Sequence, residues 1–501
     1  MVEASGVGLM ERWRFSTWAM LLLGVWTLAL AVHRADNASF TPDESYSYLH
    51  YVHQPLGDIL THKEAFSNNH LLNTLGMKCA EQLFGNSELA LRTPNLLALC
   101  LYLAYAALLL RRLSWPFAVG GFVLLCTNVH LMEFFTLARG YGLSFALFLM
   151  AQFHLAQSIR THGRRHLVLF HAASVLASLS NFTLLTAHIA GLIAYYIARS
   201  THDDHPRKTI AGVRQLDLLN VFLVGLSFMV LWIPVQQLMQ ANMLTFHGTS
   251  SFYGSTVGTW VRSALPGIPM SRFPLVTGQV LITLLALAPI IILARGRKSG
   301  SAGLETDSVL LATVSITFLA TCMGASIEHL LFGVDHLKAR YALFLLPLLL
   351  LLVPLLLQFL CNVGYRTASR AIMVGVLLWC VPTFLRHFGP YESVEWMHEV
   401  RTKDAMAAME ADHNAAQVSN DHVHIGNNWL FEPAMSYYRD VWKLHWLAPI
   451  DRNGIAQHDT YRYVFQGDEE ERSDDGFTVL ARFPESGTVL LKRSPNGHSG
   501  E

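Results

Sequence analysis

The sequence predicts a polytopic α-helical membrane protein with a small α/β domain at its C-terminal end. Of its 501 residues, 52% are hydrophobic and only 14% are charged, whereas about 25% are charged in an average globular protein. So few charges could not cover the surface of a soluble protein of this length. Apolar runs of roughly 20 residues, the length that crosses a bilayer, recur through residues 1–386 and are not found in the sequence after them.

Charge and cysteine content exclude several other classes of protein. Lys plus Arg (36) equals Asp plus Glu (36), so the chain lacks the basic excess that is typical of a nucleic-acid-binding protein. Its high apolar content excludes a disordered chain. The six cysteines lie in or beside apolar segments and show no CxxC spacing. We interpret them as buried structural thiols, with no disulfide framework and no cysteine-bound metal.

Apolar segments and basic residues together predict the topology. If the N-terminus is cytoplasmic, 16 basic residues lie in short inner turns and 8 are spread over longer outer loops. This asymmetry predicts a cytoplasmic N-terminus and a C-terminus on the outer side of the membrane. Eleven segments are candidate spans: 16–32, 89–110, 115–131, 140–158, 166–181, 182–198, 216–235, 274–294, 307–324, 341–360 and 371–386.

The chain changes character after Arg386. Residues 387–501 are polar, and we predict that they form an extracytoplasmic α/β domain beside a membrane domain of residues 1–386. Hydrophobic periodicity and turn residues predict its elements. They are helices at 393–411 and 430–441 and strands at 422–426, 461–466, 477–483 and 488–493, the last two joined by a hairpin turn.

The first outer loop, residues 33–88, is longer than a connection requires, and long loops on a rigid scaffold are often functional. Two adjacent carboxylates, Asp43 and Glu44, lie about a dozen residues past the first span. They could be catalytic acids. They could equally start a helix, because acidic residues directly after a proline such as Pro42 interact favourably with the helix dipole. Spacing alone leaves both interpretations open.

Six short motifs follow one another along the chain: DE at 43–44, SNNHLLN at 67–73, LFGNSELALRTPN at 83–95, LARGY at 137–141, SNF at 180–182 and KARY at 338–341. In their order and in the side of the membrane on which each is expected, these motifs resemble those of the GT-C superfamily of membrane glycosyltransferases. The resemblance is greatest to the protein O-mannosyltransferases and aminoarabinose transferases, and it covers about residues 15–385. The chain departs from the family where His-Pro-Pro-Leu-Tyr-Tyr is usual, since it has His70-Leu71-Leu72-Asn73 there.

The resemblance implies an activity. Such enzymes transfer a hexosyl or pentosyl group from a polyprenyl-phosphate donor in the bilayer to an acceptor hydroxyl on the outer face, by a single inverting displacement. By position, Asp43 would be the general base and Glu44 would orient the acceptor or support the base. The acceptor could be a lipid, a glycan or a protein. The chain lacks the large luminal module of eukaryotic relatives, and so we expect a bacterial inner membrane.

The resemblance also suggests which residues bind the substrates. A guanidinium group suits phosphate, so Arg340 is the first candidate for the donor phosphate, followed by Lys338, Arg139 and Tyr341. Arg340 could alternatively be an interfacial arginine whose charge reaches the headgroups. His70, Asn69 and His336 could contact substrate or be ordinary loop residues.

No cofactor is required by the sequence, and no metal-ligand set is evident in it. Some members of the family that it resembles use a divalent ion near the acidic loop, so a metal stays open.

Two other functions stay open. A transporter or lipid flippase would usually carry acidic groups near the middle of the membrane. Here the carboxylates cluster in the first outer loop and around Glu328 and Asp335, which favours chemistry at the outer surface. The second alternative is a non-catalytic sensor or scaffold whose exported domain binds a partner.

Overall fold

A computed structural model describes residues 3–202, 210–243, 248–299, 307–416, 423–468 and 476–494. Helices dominate the described chain, and four short strands lie near its C-terminal end. The helices are α1 Glu3–Asn37, α2 Pro42–Ser47, α3 Leu56–Leu60, α4 Leu71–Phe84, α5 Glu88–Leu110, α6 Trp115–Cys126, α7 Val129–Phe135, α8 Gly140–Thr161, α9 Arg164–Ser180, α10 Leu184–His202, α11 Ile210–Gln240, α12 Gly258–Ala264, α13 Arg272–Ser299, α14 Ser308–Phe332, α15 Leu346–Asn362, α16 Arg366–His387, α17 Thr402–Ala416 and α18 Glu432–Val441; the strands are β1 Ile425–Asn427, β2 Tyr461–Phe465, β3 Phe477–Phe483 and β4 Thr488–Arg493.

Each of the eleven predicted spans is helical in the structure, and the predicted fold class is confirmed. Within the described ranges, eight helices are long and apolar enough to cross a membrane, and the count is nine if the bent pair α6–α7 forms one span. The helices at the two predicted spans 166–181 and 182–198, α9 and α10, do not meet that criterion. The chain is therefore an integral membrane protein with fewer clear spans than the eleven predicted.

The helical region is held together by an apolar core. Phe122, Phe135, Phe145 and Phe344 are nearly or fully buried there, together with leucines of α15 such as Leu355. The bend of 65° between α6 and α7 falls where Asn128 caps α7, its Oδ1 accepting a hydrogen bond from the Leu131 amide at 2.9 Å. A cap at a helix start inside a span provides hydrogen-bond partners for backbone N–H groups, which lipid cannot do.

The first outer loop folds into three short helices, α2–α4. At α2, Thr41 is the N-cap and Pro42 occupies the first turn. The Thr41 side chain accepts from the Glu44 amide, and the Glu44 carboxylate accepts from the Thr41 amide at 2.9 Å. This reciprocal capping box confirms that the acidic pair begins a helix.

The C-terminal region carries a four-stranded sheet of order β1-β2-β4-β3. Strands β1 and β2 are parallel, the other pairs are antiparallel, and β3 has an irregularity between Val479 and Ala481. The predicted helix at 430–441 and the last three predicted strands are confirmed. The predicted first strand is shifted to Ile425–Asn427, and His422 lies outside the described residues.

The predicted helix at 393–411 is wrong at its start, because α17 begins only at Thr402. The segment before it, residues 389–396, consists of turns and irregular backbone and is held in place by side chains of the membrane region. Arg34 donates to the carbonyl oxygens of Gly389 (3.0 Å) and Glu392 (2.7 Å). Glu133 accepts from the Val394 amide at 3.0 Å. We call residues 389–396 the strap.

One apolar core joins the outer loop to the C-terminal region. The rings of Phe40 and Tyr437 stack with centroids 4.2 Å apart. The Phe40 amide donates to the Tyr438 hydroxyl at 2.7 Å, and Lys403 pairs with Glu88 at 2.8 Å. The α/β region is therefore packed against the loop that carries the acidic pair.

Candidate active site

Asp43 lies at the centre of a cluster built from three distant parts of the chain. Its Oδ2 accepts a hydrogen bond from Arg340 Nη1 at 2.7 Å and lies 3.3 Å from Arg139 Nη2. The side chain keeps 23% of its surface exposed. The described residues make no hydrogen bond to Oδ1. One carboxylate oxygen is thus held by two cations while the other is available.

The two arginines determine the charge of Asp43. Burial by itself raises the pKa of this carboxyl, but the positive charges of Arg340 and Arg139 oppose that effect and hold the pKa below its usual value. An opposite charge in contact favours the ionised form of an acid. Asp43 is therefore a carboxylate at neutral pH.

Glu44 has different surroundings from its neighbour. Its side chain is fully buried, and it receives two hydrogen bonds from Arg92, each 2.8 Å long. It also accepts from the amides of Thr41 (2.9 Å) and Ala138 (2.5 Å). Both oxygens are thus used to join α2 to α5 and to the turn before α8.

Arg139 reaches Asp43 from the residue directly before α8. Its Nη1 also donates to the carbonyl oxygens of Asp43 (3.2 Å) and Asn68 (3.3 Å), and its guanidinium lies 5.8 Å from the centre of the Tyr141 ring. These contacts fix Arg139 to the backbone of the acidic loop as well as to the carboxylate.

Arg340 lies in the 3₁₀ turn Ala339–Leu345 that leads into α15. Its guanidinium is 5.6 Å from the Tyr341 ring centre and 5.4 Å from that of Trp396, distances typical of cation–π contacts. Ala339, directly before it, has φ +50°, a left-handed conformation that is strained for a residue with a side chain. The turn therefore holds Arg340 in a defined place.

The strap covers this cluster. It presents Trp396 to Arg340, as described above, and places Glu395 Oε1 3.0 Å from His130 Nε2. Burial raises the pKa of Glu395, but its hydrogen bond with His130 and nearby positive charge, including that of Arg340, outweigh burial and leave the pKa lowered. Glu395 is therefore a second carboxylate that is ionised near Asp43.

A cavity of about 590 Å³ adjoins the cluster. Two basic residues with exposed side chains, Lys338 and Arg262, line it, and we call it the cation cavity. Glu395 is the one carboxylate among its described lining residues, and it is bonded to His130. The other lining residues are Thr249, Gly254, Ser255, Thr259, Ala339 and Val394.

The cation cavity and an apolar groove are related through the lining residues of a third cavity between them. A smaller cavity shares His130 and Arg262 with the cation cavity and shares Leu265 and Pro266 with the groove. The groove lies among α6, α12, α13, α15 and α16, where residues such as Leu349 line it. This arrangement suits an amphiphile with an apolar tail and an anionic head, because apolar surface is buried at one end and cations lie at the other.

The other residues predicted for the site have different surroundings in the structure. Tyr341 and Lys338 flank Arg340, and His70 is buried with its ring 4.9 Å from that of Tyr141. Asn69 is occupied internally, since it donates to the Glu64 carbonyl and accepts from Thr74.

His336 is buried elsewhere, with its ring centre 4.4 Å from that of His329 and 5.5 Å from that of Phe252. Among the described residues there is no group of three or more His, Cys, Asp or Glu side chains placed to hold a metal ion.

Several residues of the site were not predicted. Arg92 could have been found, because a charged residue one turn inside an apolar span needs a partner, and that partner is Glu44. Arg262, His130 and Trp396 carry no local signal, since their place depends on how α7, α12 and the strap pack together.

No protein-family model matches the chain, and no curated protein matches it. Two crystal structures of ArnT from Cupriavidus metallidurans are similar to it, one bound to undecaprenyl phosphate and one in the apo state. The first has 13% sequence identity and a TM-score of 0.49. The second has 12% identity and a TM-score of 0.42. Each comparison covers 96% of this chain and 99% of the ArnT chain.

Proposed function

We propose that the protein is a membrane glycosyltransferase that moves a sugar from a polyprenyl-phosphate donor to an acceptor hydroxyl on the outer face of the membrane. The observation that carries this proposal is the position of Asp43. Arginines 139 and 340 hold the carboxylate, and Ala339, the residue before Arg340, lines a cation cavity that lies near an apolar groove. The motifs of the acidic loop and of residues 338–341 support the same reaction.

The donor is an amphiphile, and the proposed site has a part for each end of it. The groove among the membrane helices would bury the prenyl chain, which is favourable in proportion to the apolar area removed from water. Lys338 and Arg262 would bind the phosphate. Arg340 would reach the phosphate from its place next to Asp43, because a guanidinium can serve two anions that meet at one site.

Asp43 would act as the general base. In the reaction, the acceptor oxygen bonds to the anomeric carbon, the bond from that carbon to the phosphate oxygen breaks, and the acceptor proton passes to Asp43. A single displacement inverts the configuration at that carbon. The departing phosphate needs no general acid if cations hold its charge.

Arg340 would couple donor binding to the strength of the base. Without donor, Arg340 and Arg139 lower the pKa of Asp43, and a weakly basic carboxylate is a poor proton acceptor. An arriving phosphate competes for the Arg340 guanidinium. As that contact is shared, the pKa of Asp43 rises, so the base becomes effective when the donor is in place.

Glu44 would be a positioning residue. Its four hydrogen bonds from Arg92, Thr41 and Ala138 hold the start of α2, and Asp43 is the residue before it. For the orientation, the distribution of basic residues supports a cytoplasmic N-terminus and a site on the outer face. The proposed location is a bacterial inner membrane.

The experiment is a transfer assay on purified protein in lipid nanodiscs. It uses radiolabelled polyprenyl-phosphate sugars as donors and membrane extracts as the source of acceptor, and it compares wild type, Asp43→Asn and Asp58→Asn. Loss of a general base slows a reaction by about 10²–10⁴-fold, and we expect Asp43→Asn to lose at least about 100-fold. Asp58→Asn is the matched control, since Asp58 belongs to the same loop but pairs with Lys63 at 2.9 Å.

Two outcomes would contradict the proposal. Equal transfer by wild type and folded Asp43→Asn would remove Asp43 as the base. If folded wild type transfers sugar from none of the donors, the result would favour a flippase or a scaffold, neither of which needs a general base.

A further inference from the structure

The cation cavity contains a carboxylate as well as its two cations. This carboxylate belongs to Glu395 of the strap, and its Oε1 lies 3.0 Å from His130 Nε2. The described residues make no hydrogen bond to the other oxygen, Oε2, and 17% of the side chain is exposed. Because Glu395 is ionised, the cavity holds a negative charge with an oxygen that can still accept hydrogen bonds.

The hydroxyl groups that line the cation cavity are already bonded within the protein. Those of Thr249 and Ser255 bond to each other at 2.8 Å. The Thr259 hydroxyl donates to the Ser255 carbonyl at 2.8 Å and accepts from the Ala339 amide at 2.9 Å. By contrast, the described residues make no hydrogen bond or ion pair with the side chains of the two cations. A ligand in this cavity therefore meets two cations and one carboxylate.

A phosphate group accounts for the two cations but not for the carboxylate. Like charges repel, so Glu395 by itself weakens the binding of an anion in this cavity. The cavity volume of about 590 Å³ lies within the range of about 300–1,000 Å³ that is usual for ligand sites, and it exceeds what one phosphate group occupies. The available oxygen of Glu395 therefore suits a second, uncharged part of the ligand that donates a hydrogen bond.

We propose that Glu395 binds the sugar of the donor by accepting a hydrogen bond from one of its hydroxyl groups at Oε2. The sugar is bonded directly to the phosphate, so a cavity that binds the phosphate through Lys338 and Arg262 has the sugar beside it. An ammonium group on the ligand would suit the cavity less well, because the same two cations would repel it. The inference rests on the proposed function and deepens it, since Glu395 would determine which sugars bind.

The position of Glu395 in the strap agrees with this role. Trp396, the next residue, has its ring centre 5.4 Å from the Arg340 guanidinium, and Arg340 bonds to Asp43 at 2.7 Å. Ala339, the residue before Arg340, lines the same cavity as Glu395. The strap thus brings a carboxylate from the C-terminal part of the chain to the turn that binds the proposed base.

The test measures the binding of water-soluble parts of the donor and requires no turnover. The probes are mannose 1-phosphate, which has a sugar and a phosphate, and methyl phosphate, which has the phosphate only. Dissociation constants are obtained from the dependence of thermal unfolding on probe concentration for the protein in nanodiscs. Glu395→Gln keeps the size of the side chain and removes its charge.

Glu392→Gln is the matched control on the strap. The Glu392 side chain is 44% exposed and pairs with His387 at 3.7 Å. It borders the cavity between the cation cavity and the groove, and it is not among the described residues that line the cation cavity.

We expect the wild type and Glu392→Gln to bind mannose 1-phosphate more tightly than methyl phosphate. In Glu395→Gln this preference should fall about tenfold, because a charged acceptor forms a stronger hydrogen bond than a neutral one. Methyl phosphate should bind Glu395→Gln at least as tightly as it binds the wild type, since a like charge has been removed. A general loss of structure would instead weaken the binding of both probes.

His130→Phe separates sugar binding from the structural pair of His130 and Glu395. This variant removes the partner of Glu395 and leaves its carboxylate, so the preference for mannose 1-phosphate should remain. Equal losses of the preference in His130→Phe and Glu395→Gln would overturn the inference. No preference in the wild type, or the same preference in Glu395→Gln, would also overturn it. If Glu395→Gln does not fold, Glu395→Asp withdraws the carboxylate by one methylene and gives the same test.

Transfer assays distinguish this inference from the proposed function. Glu395→Gln should raise the KM for the donor and leave the KM for the acceptor unchanged. A preference that depends on Glu395, in a wild type that transfers no sugar, would contradict the proposed function and support the inference. Transfer with the same donor KM in the wild type and in Glu395→Gln would support the proposed function and overturn the inference.

Discussion

At the scale of single residues, Asp43 and Glu44 show how neighbours in the chain come to have different roles. The capping box turns Glu44 back toward the Thr41 amide and onto Arg92. Asp43, one position earlier in the helix, is directed to Arg340. The Glu44 side chain is sealed in protein, whereas Asp43 keeps an available oxygen. For this reason we propose Asp43, and not Glu44, as the base.

Glu44→Gln should destabilise the whole protein. The substitution leaves the buried Arg92 guanidinium without its counter-charge, and breaking a buried ion pair in this way costs about 3–5 kcal/mol. Thermal unfolding in detergent measures the effect. Asp58→Asn, which affects only the surface pair with Lys63, should unfold like the wild type. A wild-type unfolding temperature for Glu44→Gln would contradict the structural role of the pair.

Glu399 should make the stability of the protein decrease as the pH rises from about 4.5 to about 8. Burial raises the pKa of this carboxyl to about 8 against an ordinary value of 4.5, and the hydrogen bond from Thr402 only partly opposes it. Since the folded state holds the proton more tightly, the stabilisation is fully present below about pH 4.5. It is lost at about 1.4 kcal/mol per pH unit as the pH rises to about 8.

Glu399→Gln should remove that loss, because an amide does not ionise. Unfolding temperatures measured from about pH 5 to pH 9 should fall less for this variant than for the wild type. Glu410→Gln on the neighbouring helix is the control and should follow the wild type. Identical pH profiles for Glu399→Gln and wild type would show that the carboxyl ionises without penalty.

At the scale of elements, the site depends on a close junction of α8, α9 and the loop before α4. A Cβ added at Gly140 would lie 2.0 Å from the Ser180 carbonyl oxygen and 2.6 Å from His70 Cβ. Neither backbone nor a buried ring can move away easily, so only glycine lets α8 start this close to the end of α9.

Gly140→Ala should therefore reduce the yield of folded protein, and any folded fraction should unfold at a lower temperature. Overpacking of a close contact costs about 1–3 kcal/mol or more. Gly375→Ala is the control, since an added Cβ there meets nothing within 4 Å and alanine favours a helix. Equal behaviour of the two variants would show that the junction is looser than this contact implies.

The strap shows why one element was predicted wrongly. Its sequence continues the amphipathic pattern of the helix that follows, so periodicity extends that helix back to residue 393. In the folded chain, Arg34 binds the carbonyl oxygens of Gly389 and Glu392, and Glu133 binds the Val394 amide. These tertiary hydrogen bonds hold the strap in a non-helical conformation, in which Trp396 lies against Arg340.

At the scale of the whole molecule, the α/β region and the acidic loop share one core. Phe40 and Tyr48 from the loop pack with Met406 and Tyr437 from the C-terminal region. The stability of the loop is thus linked to the presence of the α/β region. The domain boundary at residue 387 stays a prediction, since no independent unit has been separated there.

The proposed orientation predicts the labelling pattern of single cysteines in a variant from which the six native cysteines have been removed. Asp58→Cys in the first outer loop should react with a membrane-impermeant maleimide in intact spheroplasts. Arg112→Cys, in the turn after α5 where the side chain is exposed, should react only after the membrane is permeabilised. The reverse pattern would invert the topology and place Asp43 on the cytoplasmic side.

Much of this protein follows from the sequence by itself. Hydropathy located a helix at each predicted span, since the apolar length required by a bilayer is a local property. Pro42 and the two acidic residues indicated the start of α2, since helix-start preferences are also local. The family resemblance implied the roles of Asp43 and Arg340.

Only the tertiary structure decided how these parts meet. The bond between Asp43 and Arg340 joins residues 297 positions apart, and no local pattern encodes such a distance. A sequence specifies local conformation through short-range sterics and hydropathy, whereas a site depends on the packing of distant segments.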